Sequence, residues 1–166
     1  VIILLGREIV SIGSSQYVSK FHKVEHSTVP YFNLDEEYDV QQLTSRLIRT
    51  GNVKSCHDIS EGGLFISLLE SAMPNGLGVD IKTHQSERSD AYLFGEGQGR
   101  IVITVDEKNL PAIKAEIDSD GVHYSVIGEV SGNDMIVDDE DFGSVSEFSD
   151  IYENAIERQL QVGKFA

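Results

Sequence analysis

The chain has 166 residues, 40% of them hydrophobic, and a formal net charge of -15 at neutral pH. That apolar content suffices for the core of one ordinary domain and excludes global disorder. So acidic a chain excludes a nucleic-acid backbone or an anionic membrane surface as its main partner. It leaves a small phosphorylated ligand open, because backbone N–H groups at a helix start bind anions whatever the net charge. Cys56 is the only cysteine, so neither an internal disulfide nor a CxxC zinc pair is expected, in keeping with a reducing cytoplasm. No apolar run reaches membrane-spanning length, and no basic region of a signal peptide is present. A first residue, Val1, already inside a strand-like run suggests a fragment of a larger protein.

In chain order, Val1–Leu5 reads as a buried strand closed by Gly6. Gly13-Ser14-Ser15 is a small-residue turn that can start a short helix, and residues 19–33 read as irregular, with Pro30 holding Val29 extended. Asn33 is placed to cap a helix over 34–50, whose Leu43, Leu47 and Ile48 recur at helical spacing and which stops at Gly51. A strand over Val53–His57 enters the segment His57-Asp58-Ile59-Ser60-Glu61-Gly62-Gly63-Leu64. From Gly62 to Met73, Leu64, Phe65, Leu68, Leu69 and Ala72 form one apolar helical stripe, ended by Pro74-Asn75-Gly76. Further strands are predicted at Val79–Ile81, Ile101–Val105, Tyr124–Ile127 and Met135–Val137. A polar turn or short helix is expected at 84–92, a helix at Lys108–Ile117, and a C-terminal helix at Phe148–Leu160 with Ile151, Ala155, Ile156 and Leu160 on one side. The acidic run Asp138-Asp139-Glu140-Asp141 reads as a solvated loop rather than a metal site. These elements predict an α+β fold: a mixed, mainly antiparallel sheet with helices packed on it, with ferredoxin-like character over 101–127. Residues 1–166 form one domain, with 138–166 as an acidic loop plus the last helix.

Two segments carry chemistry. At His57–Leu64 a strand passes through two glycines into an apolar helix, whose first-turn N–H groups have no intrahelical partners. Without β-carbons, Gly62 and Gly63 let an anion approach that backbone. Ser60 can cap the helix or donate to a phosphate oxygen; Asp58 can hold Mg²⁺ or a ribose hydroxyl; His57 can contact a phosphate or a substrate amide. The residues equally fit a plain packing turn, with Ser60 as cap, the glycines in close helix–sheet contact, and His57 bonded locally to Asp58. At Phe94-Gly95-Glu96-Gly97-Gln98-Gly99-Arg100 three glycines lead into a strand, so the segment is no dinucleotide fingerprint, which needs a helix there. Glu96 and Arg100 either face a cleft or form a surface ion pair on a turn. Cys56 reads as a small buried hydrophobe rather than a nucleophile. His22, His26, His84 and His123 lack ligand-like spacing and read as surface residues.

The order LLG, GSSQY, HDISEGGL, LFGEGQGRIVITV and IGEV resembles the C-terminal domain of the aminoimidazole ribonucleotide synthetase superfamily, and within it the phosphoribosylformylglycinamidine synthase family. The resemblance runs from about residue 1 to about 132, and HDISEGGL is its specific part. It implies a domain of an ATP-dependent carbon–nitrogen ligase of de novo purine biosynthesis. Such an enzyme activates the formamide oxygen of formylglycinamide ribonucleotide with ATP and Mg²⁺. Ammonia from glutamine then displaces phosphate to give formylglycinamidine ribonucleotide. The resemblance further implies a cytoplasmic enzyme whose N-terminal ATP-binding domains, and a glutaminase subunit or domain, are the partners. Here the chain would be one wall of a phosphate or nucleotide cleft lined by His57, Ser60, Gly62 and Gly63. It would be inactive alone, since the ATP-binding residues lie largely in the N-terminal type of domain.

The family's LGGSEY stands here as IGSSQY, and its SES as Gly95-Glu96-Gly97. Both departures fit a relaxed, non-catalytic half that completes a pseudo-dimer. Another superfamily member, such as a thiamine-phosphate kinase, is the remaining alternative.

Overall fold

An unbroken apolar run such as Ile2-Ile3-Leu4-Leu5 suits a strand covered on both faces, since a half-exposed strand would alternate. All four residues are fully buried, and the strand they form, β1 (Ile2–Leu5), is interior to the sheet. The structure, a computed structural model, describes residues 1–8, 11–83 and 88–162. After β1 come a π-helical turn at Tyr17–Phe21, then α1 (Leu34–Arg49), β2 (Val53–Asp58), α2 (Gly63–Ala72), β3 (Val79–Ile81), α3 (Ser89–Phe94) and β4 (Ile101–Val105). The chain continues through α4 (Leu110–Asp120), β5 (Tyr124–Val130), β6 (Asp134–Val137), β7 (Glu140–Ser144), α5 (Val145–Glu153) and α6 (Ala155–Val162).

The strands form one sheet in the order β2-β4-β1-β5-β3-β6-β7, antiparallel throughout except for the parallel pair β3–β6. Its first four strands have the ferredoxin arrangement. Both β1-α1-β2 and β4-α4-β5 connect strands separated by one antiparallel neighbour, and the segment carrying α2, β3 and α3 is inserted between them. On one face Ile3, Leu5, Ile103 and Val105 meet Leu43 and Leu47 of α1 and Ile113 and Ile117 of α4. On the other, Ile2, Leu4 and Val102 meet Leu64, Leu68 and Leu69 of α2, Tyr92 and Leu93 of α3 and Val145 at the start of α5. The result is helix, sheet, helix: the expected α+β fold with a mixed, mainly antiparallel sheet.

Local chemistry sets the helix ends. The Asn33 side chain accepts from the backbone N–H groups of Asp35 (3.0 Å) and Glu36 (3.2 Å), as its position suggested. Asp35, Glu36 and Glu37 occupy the first turn of α1 and Arg46 and Arg49 its last, matching the helix dipole. Asn33→Ala should therefore cost about 1 kcal/mol, read as a lower denaturant midpoint, while Asn33→Asp stays near wild type. An unchanged alanine midpoint would show that the cap contributes nothing.

The C-terminal third departs from expectation. Asp138 and Asp139 are a two-residue hairpin turn between β6 and β7, both at positive φ (53° and 69°), as a type I′ turn requires. Glu140 and Asp141 lie on β7, so the acidic run is half turn and half strand rather than a loop. Its carboxylates are also engaged: Asp138 accepts from the backbone and hydroxyl of Thr83, and Asp139 pairs with Lys82. The single last helix is in fact two. Ser144 and Glu147 form a reciprocal capping box that starts α5 three residues early, and Asn154, bonded to Asp150, separates α5 from α6. Ile151, Ile156 and Leu160 are exposed, Ile156 at 76%.

Candidate functional site

Strand β2 runs along β4 to Asp58, which lies opposite Ile101, and the Ile59 N–H bonds the Arg100 carbonyl at 2.9 Å. This ties the His57–Leu64 segment directly to the end of the glycine-rich loop. The chain then turns through Ser60 and Glu61 into α2, with Gly62 (φ 87°) as N-cap and Gly63 (φ 72°) as first helical residue. Neither conformation suits a residue with a β-carbon. A β-carbon on Gly63 would lie 2.6 Å from the Leu93 carbonyl oxygen and 2.8 Å from backbone atoms of Phe94. The end of α3 thus touches the start of α2 backbone to backbone, which is what the second glycine permits.

Glu96 joins this junction. Its Oε1 accepts from the Gly62 N–H and from the Gln16 N–H, each at 2.8 Å. The Gly13–Tyr17 block is held nearby by stacking of Tyr17 on Phe94 (5.1 Å between centroids, 15° between planes). Gln16 acts through its backbone, so no side-chain pattern could have announced it. Ser60, by contrast, does not cap α2: it is exposed, its carbonyl accepts from the Gly63 N–H at 3.1 Å, and the helix has no side-chain cap.

Arg100 neither forms a surface ion pair nor faces outward. It is 2% exposed, and its guanidinium donates to the carbonyls of Gly95 (2.6 Å) and Gly97 (3.2 Å), so the loop winds round it. Burial lowers its pKa, while Tyr92 and Glu8 act in the opposite sense. An arginine starts so far above neutrality that it stays charged.

His57 lies elsewhere. Its Nδ1 is 2.7 Å from the Asp58 carbonyl oxygen and its Nε2 is 3.3 Å from Glu70 Oε2, well along α2 from the glycine pair. It opens on a depression of about 410 Å³ bounded by Met73, Pro74, Ser149 and Tyr152. Glu70, the eighth residue of α2, is a partner that no residue pattern announces, since the meeting depends on how α2 lies against β2. Asp58 has a 76% exposed side chain, and no group of three or more His, Cys, Asp or Glu is placed to hold a metal among the described residues. Among the described residues there is thus no self-contained Mg²⁺ site. Cys56 sits on the edge strand β2 and is exposed, not buried as expected; desolvation and the nearby Asp58 raise its thiol pKa, which disfavours the thiolate. His22, His26 and His123 are exposed, and His84 lies outside the described residues.

The site thus brings together Gly62, Gly63, Glu96 and Gln16, leaves Ser60 at its edge, and separates His57 from it. No helix among the described residues is long and apolar enough to cross a membrane.

Comparison with known proteins gives this arrangement its family. A family model described as AIR synthase related protein, C-terminal domain, matches residues 1–139. The phosphoribosylformylglycinamidine synthase subunit PurL of Alkaliphilus metalliredigens is 32% identical over 135 residues, covering 81% of this chain and 18% of that protein. The chain spans about a fifth of the length of the curated relatives it matches. Among solved structures, T. maritima PurL complexed with FGAR superposes with a TM-score of 0.73 at 13% identity, over 90% of this chain and 27% of that one. T. maritima PurL complexed with ATP gives 0.67 at 14%, over 90% and 25%. At such identities the structural likeness speaks for the fold, and the family match along most of the sequence speaks for descent. The chain belongs to the AIR synthase related protein, C-terminal domain family.

Proposed function

We propose that this chain is a C-terminal-type domain of a phosphoribosylformylglycinamidine synthase, an ATP-dependent carbon–nitrogen ligase of purine biosynthesis. The observation that carries this reading is the family match over residues 1–139 together with a 32% identical relative bearing that name over 81% of the chain. On this reading the full enzyme acts on formylglycinamide ribonucleotide with ATP, Mg²⁺ and ammonia from a glutaminase partner. ATP and Mg²⁺ supply the phosphoryl group and the charge neutralisation. This chain contributes a wall of closely approachable glycine backbone at the start of α2, where Ser60, Gly62 and Gly63 face a phosphate cleft shared with an N-terminal-type domain. Its work is positioning rather than bond making, which is the larger part of phosphoryl-transfer catalysis.

The full-length protein containing this chain, assayed with formylglycinamide ribonucleotide, ATP, Mg²⁺ and ammonia, should form the amidine and release phosphate. The isolated 166-residue chain should turn over neither. Amidine formation that fails in the full-length protein under all ammonia supplies overturns the ligase reading. Ser60→Ala separates a working cleft from a second reading, the non-catalytic half, which the carboxylate already seated at the start of α2 favours. Ser60 is exposed and caps nothing, so its loss should leave the melting temperature unchanged. A several-fold rise in KM supports the working cleft, and unchanged kinetics the non-catalytic half.

A further inference from the structure

The last two helices carry apolar side chains that nothing covers. The start of α5 is anchored: Val145 is fully buried, and Phe148 packs on Phe65 with ring centroids 6.0 Å apart. Past that turn the anchoring ends. Ile151 and Tyr152 in the last turn of α5 are more than half exposed, as are Ile156 and Leu160, one turn apart on α6. Every side chain described on α6 is exposed. That helix has eight residues, whereas isolated helices shorter than about 12 residues are marginal in water and gain their stability by packing an apolar face.

The charge around this surface narrows what can cover it. Two depressions flank α5. One, of about 410 Å³, joins the apolar Met73, Pro74 and Tyr152 to Glu70 and Glu153. The other, of about 620 Å³, joins Phe142, Phe148 and Ile151 to Glu147 and Asp150. Residues 140–162 hold six carboxylates and a single cation, Arg158, which is already paired with Asp150. A second copy of the chain would set carboxylates against carboxylates, because a two-fold contact places like surface on like surface. An anionic lipid surface is repelled in the same way. Apolar strips edged by carboxylates match a helix of the opposite pattern, with apolar side chains flanked by Lys and Arg. Both α5 and α6 lie beyond residues 1–139, outside the part of the chain that defines its family.

We infer that α5 and α6 dock an amphipathic helix of a second polypeptide, whose apolar side chains cover Ile151, Tyr152, Ile156 and Leu160. Its Lys and Arg side chains meet Glu147, Glu153 and Glu157. The inference rests on exposure and charge away from the α2 entrance, so it stands or falls independently of the ligase reading.

Two synthetic helical peptides test it, sharing one leucine stripe and one tryptophan but flanked by lysine in the first and glutamate in the second. The chain has no tryptophan of its own, so peptide fluorescence reports binding directly. At about 0.15 M salt, where long-range attraction is screened, the lysine peptide should bind at least about tenfold more tightly than the glutamate peptide. The double variant Ile156→Ser with Leu160→Ser should weaken it at least about tenfold, with an unchanged melting temperature because both residues are exposed. The double variant Leu34→Ser with Tyr38→Ser removes exposed apolar side chains from α1, on the other face of the sheet, and should bind like wild type. Equal affinity for the two peptides, or equal weakening by the two double variants, would mean nonspecific attraction and overturn the inference.

Amide exchange gives a second measure. Exchange along α6 should be fast in the free chain and slow at least about tenfold with the lysine peptide. Protection of α6 in the full-length protein without any peptide would assign the face to that protein's own chain and overturn the inference. So would a dimer of the wild-type chain in sedimentation that Ile156→Ser dissolves, since the occupant would then be a second copy.

Discussion

Gly63→Ala should lower the melting temperature of the chain by roughly 6–12 °C, with no ligand involved. Two costs add. At φ 72° an L-residue is strained by about 1 kcal/mol or more, and the new β-carbon falls 2.6 Å from the Leu93 carbonyl oxygen and 2.8 Å from two backbone atoms of Phe94. Backbone cannot swing aside as a side chain can, so α2 and α3 must part, at a further cost of about 2 kcal/mol in overpacking and lost contacts. Gly62→Ala should be destabilising too: at φ 87° its β-carbon would lie 2.4 Å from Cγ1 and 2.8 Å from Cβ of Ile66, and no rotamer change moves that Cβ. Thermal melts of the two variants measure both losses directly. A Gly63→Ala chain as stable as wild type would mean that the end of α3 does not rest on the start of α2.

The second large effect is expected at Arg100. Arg100→Met keeps most of the stem volume and removes the guanidinium, leaving the carbonyls of buried Gly95 and Gly97 without these donors. Two buried acceptors losing charge-assisted bonds should cost about 3 kcal/mol, seen as a lower denaturant midpoint with little change in slope. Lysine is no substitute, because a single ammonium cannot reproduce the planar fork that spans both carbonyls. Arg100→Lys should thus recover only part of the loss. The change also reaches the α2 entrance, since the loop that Arg100 holds is the one that aims Glu96 at Gln16 and Gly62. Amide exchange at Gly62 should quicken in Arg100→Met; protection at the wild-type level would show that Glu96 needs no support from beneath.

The two variants explain why some of this molecule could be read from its residues and some could not. Elements whose cause is local were clear. Asn33 caps α1 because a short side-chain acceptor lies within reach of two N–H groups that follow it. The Ile2–Leu5 strand is uniformly apolar because it is covered on both faces. Boundaries failed where a competing local device was stronger than the apolar pattern. The Ser144–Glu147 capping box starts α5 before its apolar residues begin, and the left-handed pair Asp138-Asp139 makes a hairpin from what reads as acidic loop. Charge alone does not distinguish a solvated run from a turn whose carboxylates are spoken for by Thr83 and Lys82.

For the site the division is sharper. Residues alone determined the α+β class, the family resemblance, and the fact that His57–Leu64 and Phe94–Arg100 are the unusual segments. They also established that Gly62 and Gly63 need a backbone reason, because a glycine pair at a helix start is costly without one. Tertiary structure alone decided what that reason is: the Leu93–Phe94 backbone against Gly63, and Glu96 on the Gly62 N–H. It also turned Arg100 inward and drew His57 to Glu70. Each of these depends on which segments meet across the sheet. A side chain's chemistry fixes what it can bind, but only the packing of distant segments fixes which donors and acceptors come within 3 Å of it.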